Sequence, residues 1–214
     1  MKATIFDFDG TLADTLPLCF FAFQSVFREF DHKDYSNDGI LAMFGPSETD
    51  IIKENLESEQ TDHAIEWYYD IYKNHHDAFV KPKPELIALI KELKEKQIKI
   101  GIVTGKAKRS LDISLEALQM NNLFDVVITG DDVNTPKPDP EGLQKALSIL
   151  EVDPHHALFI GDSDADIEAG IRAGVKTVGV SWLENVQTDH FSKKPDYTFE
   201  AVPDIKAILD IHNS

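Results

Sequence analysis

Short apolar runs bounded by Gly, Asp or Asn alternate along this chain with stretches whose apolar residues recur every third or fourth position. A short apolar run reads as a strand covered on both faces, and the longer period reads as a helix laid against it. On this pattern strands are predicted at Ala3–Phe8, Ile98–Val103, Asp125–Thr129, Ala157–Ile160 and Lys176–Val180. Helices are predicted near Glu85–Lys96, Lys106–Met120, Pro140–Leu150 and Asp164–Ala173. Pro84 and Pro140 stand where a first helical turn tolerates proline, and Gly174 fits a helix end. Such alternation predicts an α/β fold built on a parallel sheet.

Residues 15–80 break the alternation, because they hold no strand pattern. Leu16, Cys19, Phe20, Phe23, Val26, Phe27 and Phe30 fall at helical spacing, an aromatic stripe that core packing accounts for. Ser47-Glu48-Thr49-Asp50 resembles a capping box that opens another helix. Ile65, Tyr68, Tyr69 and Tyr72 mark a third, and Lys81-Pro82-Lys83-Pro84 reads as a stiff return to the α/β part. The expected organisation is therefore a core formed by residues 1–14 and 81–214, with residues 15–80 as a helical cap inserted after the first strand. Open α/β sheets place their sites at the carboxyl ends of the strands, so this module would sit over the site as a lid.

Composition narrows the picture. At 214 residues the chain is long enough for a core domain with a smaller insertion, and to fold without disulfides. Its single cysteine, Cys19, cannot form an internal disulfide, which points to a reducing compartment. No apolar run approaches the roughly 20 residues that span a bilayer, and Met1-Lys2 leads directly into a strand pattern without a leader, so a cytoplasmic protein is expected. A formal net charge of -17, from 38 acidic and 21 basic side chains, argues against nucleic-acid and membrane partners. An anionic substrate would need a metal ion or a few placed cations. A monomer or weak homodimer is expected.

Four segments at strand ends carry the candidate chemistry: Asp7-Phe8-Asp9-Gly10-Thr11, Val103-Thr104-Gly105-Lys106, Pro136-Lys137-Pro138 and Gly161-Asp162-Ser163-Asp164-Ala165-Asp166. Asp7 and Asp9, two apart, can face one side, and neighbouring carboxylates repel unless a cation, a shared proton or a reaction uses them. Taken alone they would read first as turn or capping aspartates. Asp162 and Asp166 fall four apart on a starting helix, which Asp164 could cap. A calcium loop counted from Asp162 would need glycine sixth and glutamate twelfth, where Ile167 and Ala173 stand, so an EF-hand is excluded. An oxygen-only cluster suits Mg²⁺, and no pair of histidines has a zinc spacing. Thr104 and Lys137 offer a hydroxyl and an ammonium to phosphate oxygens.

Together DFDGTLADT, IGIVTGK, TPKPDP and FIGDSDADIEAG resemble the haloacid dehalogenase-like hydrolase superfamily, in its phosphoglycolate phosphatase-like branch, over the whole chain. The resemblance implies a doubly wound, Rossmann-like core with Asp7 and Asp162 on adjacent strands. It implies a Mg²⁺-dependent phosphatase acting on a small phosphorylated metabolite, phosphoglycolate-like or another, through an aspartyl-phosphate. Asp7 would be the nucleophile and Asp9 the general acid and base. Asp7, the backbone carbonyl of Asp9 and Asp162 would surround Mg²⁺, with Asp166 supporting its waters. Thr104, Gly105 and Lys137 would hold the transferring phosphoryl group, with Lys137 also steadying Asp7.

Asp9 disfavours dehalogenase activity, since the dehalogenases of that superfamily lack the second aspartate. A phosphonoacetaldehyde hydrolase would need a Schiff-base lysine, and Lys33, Lys53 and Lys73 stand in no matching context. A β-phosphoglucomutase-like mutase and a pyrophosphatase remain alternatives, and a non-catalytic phospho-ligand domain is a third. The turn Phe44-Gly45-Pro46-Ser47 is the candidate substrate loop, through Gly45 and Ser47, though Ser47 fits an N-cap equally. No arginine near it would clamp a second anion. Lys106 and Arg109 could add positive charge at the mouth or could be exposed helix residues.

Overall fold

The computed structural model describes residues 1–188 and 190–211, with residues 209–211 as backbone alone. Its strands are β1 (Ala3–Phe6), β2 (Lys99–Val103), β3 (Val126–Ile128), β4 (Ala157–Gly161), β5 (Lys176–Val180) and β6 (Tyr197–Phe199). They form one parallel sheet in the order β3-β2-β1-β4-β5-β6. The order reverses direction between β1 and β4, which makes the carboxyl ends of those two strands the switch point of a doubly wound sheet. β6 was not foreseen. It has three residues, none of them buried, so no apolar run announces it.

Nine α-helices are described: α1 (Leu16–Asp31), α2 (Asn37–Leu41), α3 (Glu48–Asn55), α4 (Thr61–Phe79), α5 (Pro84–Glu95), α6 (Lys108–Ala117), α7 (Glu141–Leu150), α8 (Asp164–Ala173) and α9 (Lys206–Ile211). Pro84 starts α5, and Gly174 ends α8 in the left-handed conformation at φ 75°. Alternate residues of the central strands feed two cores. Ala3, Ile5, Ala157 and Phe159 face α7 and α8, whereas Phe6, Leu158 and Ile160 face the opposite layer with Leu86, Ile90 and Leu93 of α5.

The chain from α1 to α4 is helical throughout. The foreseen stripe becomes the inner face of α1, with Leu16, Cys19, Phe23, Val26 and Phe27 buried, and Phe20 and Phe30 packed at its edge. α1 packs against α4, whose Tyr68 stacks obliquely on Phe23 at 4.6 Å between ring centroids. α4 in turn lies on α6, where Tyr72 Oη and His76 Nε2 converge on Ser114 Oγ at 2.9 and 3.1 Å. The helical segment is thus tied to the α/β core by packing and by buried polar contacts.

Phe27 is fully buried against Tyr35, with centroids 4.9 Å apart and no part in the cleft described below. Phe27→Ala is therefore expected to destabilise the protein by about 3–5 kcal/mol, the range for emptying an aromatic from a packed core. Urea denaturation checks this, and a loss under 1 kcal/mol would show that the segment packs loosely.

Candidate active site

The chain beyond the carboxyl ends of β1, β2, β3 and β4 brings the four foreseen segments to one cleft. Asp7 follows β1 directly, its N–H still bonded to the Ile160 carbonyl at 2.8 Å, and its side chain is buried. Asp162 follows β4, next door. Asp166 is on the first turn of α8, where Ser163, rather than Asp164, is the cap: its hydroxyl donates to Asp166 Oδ2 at 2.6 Å and accepts from Asp166 N–H. Gly10 makes the close approach possible. It sits at φ +78°, and a Cβ there would fall 2.1 Å from Asp162 Oδ2.

Asp7, Asp162 and Asp166 each present an oxygen within 4.8 Å of the others, and all three are buried. Their partners are few. Lys137 Nζ lies 3.0 Å from Asp7 Oδ1 and 2.6 Å from Asp166 Oδ1. Asp162 accepts from Thr11 Oγ1 at 3.0 Å and from Gln187 N–H at 2.7 Å. Asp7 Oδ1 has no other partner among the described residues than this ion pair with Lys137.

Electrostatics follow from this crowding. Burial pushes the Asp7 carboxyl up to about 7, against the pull of Lys137 and with the push of Asp166 and Asp9. Burial, then Asp166 and Asp7, raises the Asp162 carboxyl well above its ordinary range. Burial opposes the charge on Lys137, but Asp166 and Asp7 outweigh it and raise the ammonium's pKa. One lysine leaves three buried carboxylates undercompensated, and Asp7 lines the cleft. This oxygen-only set fits a hard divalent cation.

Asp9 is placed differently. Its carboxylate turns away from the trio to accept from the Thr15 hydroxyl and to pair with Lys106 Nζ at 3.1 Å, so only its main chain is left for a cation. Thr104 is buried, lines the cleft, and accepts from Lys106 N–H at 3.2 Å. Gly105 and Gly45 also line it, and they nearly touch, since a Cβ on Gly105 would lie 3.2 Å from the Gly45 carbonyl. Ser47 is absent from the wall. It caps α3, donates to Asp50 Oδ2 at 2.9 Å, and packs against Gly130.

The cleft encloses about 240 Å³ between the strand ends and the helical segment. Two of its features escape a reading of the sequence. Lys106 is buried, neither exposed nor at the mouth, and it bridges Asp9 and Glu48. Glu48 reaches in from α3, although an acidic residue in a helix's first turn gives no sign of which way it points. Arg109 stays half-exposed, paired with Glu66 and lying over Tyr69. Thr11 and Gln187 were also missed as partners of Asp162, and Gln187 lies in a loop without a motif.

A family model described as haloacid dehalogenase-like hydrolase matches residues 4–180. The pyrophosphatase PpaX of Bacillus mycoides (strain KBAB4) is 35% identical over 209 residues, covering 98% of this chain and 97% of that protein. Among solved structures, a predicted phosphoglycolate phosphatase from Haemophilus somnus 129PT superposes with a TM-score of 0.85 at 23% identity, covering 98% of both chains. A candidate phosphoglycolate phosphatase from Lactobacillus plantarum gives a TM-score of 0.79 at 27% identity, covering 97% of this chain and all of that one. No described helix is long and apolar enough to cross a membrane.

The raised Asp7 fixes the sign of a pH effect. Without a cation, the native state keeps a proton on Asp7 up to about pH 7, whereas the unfolded chain releases it near 3.8. Asp7 therefore makes the metal-free protein less stable as pH rises between those values. A bound divalent ion needs the ionised form and acts in the opposite sense. The gain in Tm from excess Mg²⁺ over a chelator should be small near pH 5 and grow through about pH 7. A gain that is flat with pH, or absent, would contradict the cation site.

Proposed function

This chain belongs to the haloacid dehalogenase-like hydrolases, and on that footing we propose a Mg²⁺-dependent phosphatase that hydrolyses a small phosphate monoester through an aspartyl-phosphate on Asp7. The observation that carries the reading is the buried trio Asp7, Asp162 and Asp166, with Asp7 lining a cleft and paired with Lys137. Asp7 and Asp162 through their side chains, Asp9 through its carbonyl, and Asp166 in support would hold the ion. The ion would supply charge neutralisation for the phosphoryl oxygens and for the carboxylate they approach.

The chain's own groups divide the rest. Lys137 and Thr104, with Gly105 close to the phosphoryl oxygens, orient the group for in-line attack. An Asp7 oxygen forms a bond to phosphorus while the bond to the leaving oxygen breaks, and Asp9 gives its proton to that oxygen. In the second displacement Asp9 takes a proton from water. The water oxygen bonds to phosphorus, the Asp7–phosphorus bond breaks, and phosphate leaves with Asp7 restored. The Lys106 and Thr15 contacts hold the Asp9 side chain on the leaving-group side of Asp7 in this scheme.

The helices α1–α4 act as a cap, with Gly45 on the loop that meets Gly105 and seals the cleft. Ser47 then belongs to the loop's architecture, through its cap on α3, more than to substrate contact. A pyrophosphatase is the second reading, which the name of the Bacillus mycoides relative favours. A mutase would share every group named so far.

Phosphate release with and without a chelator, on a panel of sugar phosphates, nucleoside monophosphates, 2-phosphoglycolate and pyrophosphate, tests the reading. Asp7→Asn is expected to lower kcat by at least about 10³-fold, as loss of a nucleophile does. The same variant should raise the Tm of the metal-free protein, because it removes one of three crowded carboxylates. Substantial turnover by Asp7→Asn would rule out the covalent route, and isomerisation of a sugar phosphate without net release would turn the assignment to a mutase.

A further inference from the structure

The cleft holds one charged group for which the transfer chemistry has no use, the carboxylate of Glu48. Its side chain is 6% exposed, lines the cavity, and is committed to the core side at both oxygens. Oε1 accepts from Lys106 Nζ at 3.1 Å and from Ser110 Oγ at 2.5 Å, and Oε2 accepts from the Ala107 N–H. An ammonium, the N–H that precedes α6 and a hydroxyl in its first turn make a cradle for an anion, favoured further by the helix dipole. Glu48 fills that cradle from within the chain.

The charges around the cavity show what this leaves for a substrate. Among the described residues, the ammonium groups on its wall are Lys137 and Lys106, and the carboxylates are Asp7, Asp9 and Glu48. No described arginine lines it. Lys137 is taken by Asp7 and Asp166, on the phosphoryl side. Lys106 lies 3.1 Å from both Asp9 and Glu48, so its one positive charge faces two negative ones. What the helical segment otherwise contributes is apolar, chiefly Phe23, Phe44, Pro46 and Ile51.

We propose that Glu48 is a specificity-determining residue: by filling the cationic cradle beside Asp9 it excludes leaving groups that carry a negative charge and selects phosphate monoesters of uncharged, largely apolar alcohols. The inference rests on the phosphatase reading and names the leaving group that reading left open. Exclusion works by like-charge repulsion in a site of low dielectric, where an anionic leaving group would also find every donor of the cradle occupied. The same geometry sets this chain apart from an enzyme whose leaving group is phosphate.

The test compares kcat/KM for phenyl phosphate with that for pyrophosphate and 2-phosphoglycolate, in the Mg²⁺-loaded wild type, Glu48→Gln and Glu48→Ala. The wild type should favour phenyl phosphate by about tenfold or more, and both variants should shrink that ratio by about tenfold, mainly through a lower KM for the anionic substrates. A general loss of structure would lower all three rates and leave the ratio in place. Glu48→Gln keeps the side chain's volume, so it carries the test if Glu48→Ala fails to fold. A wild type that prefers pyrophosphate or 2-phosphoglycolate overturns the proposal, as does a ratio unmoved in a folded variant. If the wild type cleaves none of the three and no ester of the wider panel, the phosphatase reading fails on its own. Glu48 is then judged by calorimetric titration of phenyl phosphate against 2-phosphoglycolate, where equal affinities, or a preference that survives Glu48→Gln, overturn it.

Discussion

Three carboxylates that would rather be apart are held together at the switch point of the sheet, and much of the molecule serves to keep them there. Asp7 and Asp162 leave adjacent strands, and Asp166 is locked by its exchange of hydrogen bonds with Ser163. Gly10 removes the Cβ that would collide with Asp162. Lys137 arrives from another loop and touches Asp7 and Asp166, yet its single charge cannot balance three. Burial first, and the mutual repulsion after it, raise the carboxyl pKa values of Asp7 and Asp162. A site crowded in this way is suited to binding a divalent ion, because its arrival relieves what the fold imposes.

A second electrostatic knot joins the helical segment to the core. Lys106 is buried between Asp9 and Glu48, and burial opposes its charge, but the two carboxylates hold it ionised. An ion pair this deep adds little net stability, because desolvation offsets most of the attraction, but breaking one side leaves an isolated charge. Its effect is on geometry: it fixes where Glu48 sits relative to Asp9 and ties α3 to the start of α6. Around it, the Tyr72 and His76 contacts with Ser114 and the pair of Arg109 with Glu66 reinforce the same docking.

The core was legible because its strands are short, nearly all apolar and punctuated by Asp and Gly. Motifs at strand ends then marked Asp7, Asp162, Thr104 and Lys137, since a parallel sheet collects such ends on one edge. Legibility failed where direction rather than identity decides. Lys106 and Arg109 stand three apart beyond Thr104, and nothing in their sequence says that one is buried and the other half-exposed. Glu48 and Ser47 are adjacent in a capping segment, yet the glutamate faces the cavity while the serine caps its helix. β6 lacks a buried face and so has no hydrophobic signature. Each miss depends on partners distant along the chain, such as Asp9 with Lys106 or Asp162 with Gln187.

The most direct measurement of the central claim is a calorimetric titration of Mg²⁺ into the metal-free protein at neutral pH, repeated in buffers of different ionisation enthalpy. If the trio is crowded enough to hold protons on Asp7 and Asp162, saturable binding must be accompanied by proton release, and Asp162→Asn must weaken the binding and reduce the release. Binding without proton release, or no saturable binding at all, would contradict the view that these three crowded carboxylates form a site for a divalent cation.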